Sequence, residues 1–76
     1  MKERAAIKAD QERYLSENAP ELLKYRDDMD DFVTEFTFFL SDPRFYDKND
    51  FFTDEGRIFE RMYDAILDQT YEAREN

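Results

Sequence analysis

The sequence predicts a small all-α domain of three helices. Two long segments carry apolar residues at helical spacing, and a third is filled with good helix formers. Cap and turn residues cluster at two places between them. Residues 1–76 read as one domain. In it the second and third helices form an antiparallel hairpin, their connection is aromatic, and the N-terminal helix is peripheral.

The first helix is expected over about 2–17. Ala5, Ala6, Ala9, Gln11 and Glu12 favour helix. Its apolar stripe is narrow, made of Ile7 and Tyr14 with Leu15 beside them. The basic residues of its first turn oppose the helix dipole. The break that follows holds Asn18, Pro20 and Glu21. Asn18 reads as an N-cap, Pro20 suits a first turn, and Glu21 stands three residues after Asn18, as in a capping box.

The second helix is expected over about 19–40. Leu22, Tyr25, Met29, Phe32, Val33, Phe36, Phe39 and Leu40 fall within an arc of about 120°. The stretch 32–40 also alternates as a strand would, with Phe32, Phe36, Phe38 and Leu40 at even positions. Helix is preferred because the stripe is continuous from Leu22 and no second strand stands out to pair with it. On a helix Phe36 faces the core and Phe38 falls near the opposite face.

The connection 41–53 starts with Asp42 and Pro43, which end one helix and begin a short turn. Asp47, Lys48, Asn49 and Asp50 are turn residues. Between and after them stand Phe45, Tyr46, Phe51 and Phe52. The loop is expected to fold back as a lid over the hairpin; the alternative makes some of these rings interface anchors. The third helix, about 54–72, is capped by Thr53 and has Asp54 and Glu55 in its positive first turn. Ile58, Phe59, Met62, Tyr63, Ile66 and Thr70 line one face.

Composition narrows the chemistry. There are 20 acidic and 11 basic residues, a net charge of −9, and no Cys or His. Disulfides, thiolate zinc sites and histidine bases are excluded. An EF-hand begun at Asp47 fails, because Phe51, Phe52 and Ile58 fall where ligands or glycine are needed. A carboxylate metal site of Asp28 and Asp31 with Glu60 and Asp64 would need both pairs to face inward, and helical phase points them outward. Ser16 and Ser41 have no base to activate them. No cofactor, no metal and no enzymatic activity are therefore expected. An acidic chain is repelled by nucleic acid and by anionic membranes, so neither is expected as a direct partner. No apolar run suits a membrane span or a signal peptide, and the expected location is the cytoplasm.

The most informative feature is the acidic cluster of Asp27, Asp28, Asp30, Asp31 and Glu35, five carboxylates in nine residues with no base among them. On a continuous helix Asp27, Asp28, Asp31 and Glu35 lie opposite the apolar stripe. The pairs Asp27/Asp31 and Asp31/Glu35 would each destabilise it by about 0.2–0.5 kcal/mol. Such a face either only solvates the helix or meets a basic patch on a partner. The candidate partner-binding set is Asp27, Asp28, Asp31 and Glu35 for charge, with Phe38 and Tyr46 as aromatic anchors. The expected function is a non-enzymatic protein-binding module, an inhibitor or regulator that occludes a basic surface of a target protein, such as one that binds nucleic acid. In general character the chain is similar to small acidic inhibitors encoded by phages, including DNA mimics and anti-CRISPR proteins; that likeness is compositional. The alternative is a self-associating assembly subunit, a homodimeric helical module. Residues 1–15 carry four basic and three acidic side chains, net +1, against −10 for the rest. The first helix is thus expected to be tethered electrostatically to the acidic body.

Overall fold

The structure is a computed structural model and describes residues 3–75. It contains α1 (Ala9–Asn18), α2 (Pro20–Leu23), α3 (Met29–Leu40), a 3-10 turn (Pro43–Phe45) and α4 (Asp54–Glu75). The all-α class read from periodicity holds. Among the described residues there is no strand, only an isolated bridge between Tyr46 and Phe52.

α3 and α4 run antiparallel, because the start of each meets the end of the other. The rings of Phe39 and Phe59 lie 4.9 Å apart and those of Phe36 and Tyr63 5.1 Å apart. Met29 and Val33 share a groove with Leu67 and Tyr71. The helical phase of α3 sends Phe32 and Phe36 into the core and leaves Phe38 68% exposed. Helix also suits the threonines. The hydroxyls of Thr34 and Thr37 donate to the carbonyls of Asp30 and Val33, at 2.9 and 2.8 Å.

Three expectations need correction. The first helix begins at Ala9, not near residue 2, which lies outside the described residues. Residues 3–8 form a non-helical strap instead. Its backbone is satisfied elsewhere: the Ala6 N–H donates to Thr70 Oγ1 at 3.0 Å, and Gln69 Nε2 donates to the Ala6 carbonyl at 2.7 Å. The helix then starts where Gln11 Oε1 accepts the Lys8 N–H at 2.9 Å. As expected, α1 lies at the periphery, mostly exposed, and is anchored to the body by two side chains: Leu15 is fully buried and Tyr14 stacks edge-on at 5.4 Å from Phe59.

The second correction is the larger one. The helix expected over about 19–40 is two helices, α2 and α3, with a turn at 24–28. The Tyr25 and Arg26 N–H groups make tight bonds to carbonyls three residues back, at 3.2 and 3.1 Å. Asp28 then caps α3, its carboxylate accepting the Asp30 N–H at 3.1 Å. Backbone groups freed by the break are taken up by the strap. The Ala5 N–H donates to the Arg26 carbonyl at 2.8 Å, and the Met29 N–H donates to the Glu3 carbonyl at 2.6 Å. A helix is cheaply broken where another segment supplies the missing hydrogen bonds.

Third, Asn18 does not cap the next helix. It ends α1, and its side chain donates to the Tyr14 carbonyl at 2.9 Å.

The aromatic connection folds back as a lid. Phe45 is fully buried, its ring 5.1 Å from Phe39 and 5.7 Å from Phe59. Arg44 lies over both Phe39 and Phe45, 4.7 Å from each ring. Thr53 caps α4 by accepting the Gly56 N–H at 3.1 Å. Gly56 is needed there, since a Cβ would sit 2.8 Å from the Phe52 ring.

Candidate protein-binding surface

The broken helix redistributes the acidic cluster. Asp27 is an exposed turn residue, ion-paired to Arg4 with Nε to Oδ1 at 2.8 Å. Asp28 caps α3 and is half-buried. Asp30 and Asp31 occupy the first turn of α3, where the helix dipole favours negative charge. Part of the cluster therefore has a local job in starting a helix. The repulsion expected between Asp27 and Asp31 is not a helical pair, because Asp27 lies outside α3. The pair Asp31 and Glu35 is.

Of the six residues picked out from sequence, the structure brings three together. Asp31, Glu35 and Phe38 follow one another at i, i+4 and i+7 on the outer side of α3. Asp31 and Phe38 are exposed and Glu35 is half-buried. Beside this stripe runs a groove of about 310 Å³ between α2 and α3. Glu21, Leu22, Tyr25 and Phe39 line it together with Glu35 and Phe38. Lys24 also lines the groove, its ammonium 5.3 Å from the Tyr25 ring centroid. The arrangement presents carboxylates around an uncovered aromatic ring, suited to a cationic surface with an apolar recess.

Asp27, Asp28 and Tyr46 lie apart from that stripe. Tyr46 belongs to a second groove, of about 620 Å³, between the C-terminal part of α3, the aromatic loop and the first turns of α4. Its ring is 5.2 Å from Phe52. Phe51, at 67% exposure, stands in the same groove with Asp50, Arg57, Glu60 and Arg61.

Sequence reasoning missed Glu21 and Tyr25, because the α2–α3 groove exists only once the helix breaks. It also missed Arg57 and Arg61. Their i, i+4 spacing was available as a signal, but not which face of α4 the folded-back loop would leave beside its exposed rings.

The tether expected of the first helix takes a different form: among the described pairs, the one N-terminal cation that meets an acidic residue of the body lies on the strap, and the other two pairs have the opposite polarity. Arg4 reaches Asp27, while Arg26 reaches Glu12 at 3.2 Å and Arg74 grips Glu3. Among the described residues no three Asp or Glu side chains gather as metal ligands, and no helix is long and apolar enough to cross a membrane.

Comparison with protein-family models, with curated proteins and with solved structures finds no match to this chain.

Proposed function

We propose that this chain is a non-enzymatic protein-binding module that uses the outer side of α3 to cover a basic surface on a target protein. The observation that carries the reading is Phe38. A ring 68% exposed on a chain this small, set between Glu35 and the α2–α3 groove, has the character of an interface anchor. Asp31, Glu35 and Glu21 surround it with negative charge that steers encounter with a cationic partner. Occlusion of a nucleic-acid-binding surface, as an inhibitor of the phage anti-defence kind does, fits that charge. A cytoplasmic setting belongs to the same reading.

The test is capture of partners by the wild-type chain and by two variants, Phe38→Ala and Asp31→Asn with Glu35→Gln. Both variants alter exposed or half-exposed side chains and should fold. A partner that binds wild type, binds the amide variant with a slower and less salt-dependent association rate, and is lost with Phe38→Ala meets the proposal. A partner held equally by all three would reject it.

A further inference from the structure

We infer that the groove formed by Tyr46, Phe51, Phe52 and the first turns of α4 is a two-fold contact surface for a second copy of this chain. This is separate from the proposed function, which concerns the other side of α3. The argument begins with charge. At −9, two copies repel each other over most of their surface. The groove is an exception. It carries two cations, Arg57 and Arg61, and two anions, Asp50 and Glu60, so it is neutral. Neither arginine has an ion-pair partner among the described residues, whereas Arg4, Arg26 and Arg74 do.

A two-fold contact places the same patch against itself, so the patch must complement itself. Mixed charge does this, because the arginines of each copy face the carboxylates of the other. The rings supply the apolar part. Phe51 is 67% exposed and Tyr46 43% exposed, and both stand on a turn fixed by Asp47. The Asp47 carboxylate accepts the N–H groups of Asn49 and Phe51, at 2.8 and 3.1 Å. Rings held on a rigid turn lose little freedom on association. A purely acidic partner would meet Asp50 and Glu60, and a purely basic one would meet both arginines. A second copy has the matching mixture.

A contact built on one groove and two exposed rings is expected to have micromolar affinity or weaker. Sedimentation equilibrium over a concentration series should show a species of 9.3 kDa giving way to one of twice that mass. Phe51→Ser should weaken dimerisation by at least about tenfold. Arg57→Glu with Arg61→Glu makes the groove strongly negative, and Glu60→Arg makes it positive. Each of these should be monomeric alone, and a mixture of the two should form a heterodimer. Circular dichroism of each variant should match wild type. A wild-type chain that stays monomeric to about 1 mM would overturn the inference and leave the groove to a different partner. A dimer indifferent to Phe51→Ser and to the charge variants, or one abolished by Phe38→Ala, would overturn it as well.

Discussion

The two ends of the α3–α4 pair are closed by opposite means. At one end, aromatic rings from the loop 41–53 pack onto α3 and α4, with Phe45 wholly buried among Phe39, Phe52 and Phe59. At the other, the strap of residues 3–8 is held mainly by polar contacts, to Thr70, Gln69, Arg26, Met29, Asp27 and Arg74. Ala5 is the buried apolar residue of the strap. The aromatic end draws mainly on burial, which charge screening does not weaken and moderate acid does not titrate. The strap end draws on hydrogen bonds and exposed charge, which are worth less each and depend on solution conditions. A small domain with one thin core thus has one firm end and one adjustable end.

The largest effect should come from the firm end. Phe45→Ala is expected to cost about 3–5 kcal/mol, read by chemical denaturation, because it empties a fully enclosed ring position. A loss under about 1 kcal/mol would mean that the lid is not part of the core, and the comparison would fail.

The strap should yield a middle-sized effect. Thr70→Val keeps the shape of a fully buried side chain but removes the acceptor for the Ala6 N–H and the donor to the Ile66 carbonyl. A cost of about 1–3 kcal/mol is expected. Hydrogen exchange should quicken at Ala5 and Ala6 and stay unchanged at Phe45. Equal acceleration at both ends would show that the two are not separable.

The aromatic end also carries a small strain. Asp50 has φ of +64°, the left-handed region that favours glycine. Asp50→Gly should raise stability by about 0.5 kcal/mol, visible as a higher denaturation midpoint. A lower midpoint would mean that the Asp50 side chain contributes more than its backbone costs.

The smallest effect is the response of the strap to acid. The hydrogen bonds from Arg74 hold the Glu3 carboxyl below its ordinary value of 4.5; desolvation opposes them, and the charge of Arg74 adds to the lowering. A lowered folded-state value means stability that is present above the unfolded value and lost as pH falls through the folded one. Glu3→Gln should therefore melt slightly below wild type near neutral pH, and the gap should narrow once pH falls under 4.5 and close as it passes through the lowered folded-state value. A gap that persists in acid would assign it to something other than this ion pair.

How much of this was readable in advance follows the range of the interactions. The phase of α3 was legible: Phe32 and Phe36 inside, Phe38 outside, Thr53 as the cap of α4 and the aromatic loop as a lid. The phase and the cap depend on neighbours within one or two turns, and the lid on aromatic rings placed in an otherwise polar loop. The acidic cluster was legible as a feature but not as a surface. Whether Asp27 and Asp28 extend a helical face or start a new helix depends on the turn at 24–28.

Local sequence by itself determined the helical class, the inward-facing stripe of α3, that of α4 except for Ile58, which is 46% exposed, and the excess of negative charge. Each of those follows from the period of the apolar residues or from the count of charges. Tertiary structure alone decided where the long second helix breaks. Its apolar stripe runs unbroken from Leu22 to Leu40, and nothing within it demands a turn. The break is tolerated because Glu3 and Ala5, more than twenty residues away, accept and donate the backbone hydrogen bonds it leaves open. Pairing at that separation leaves no periodic trace in either segment. It is what divides the acidic cluster and opens the groove beside Phe38.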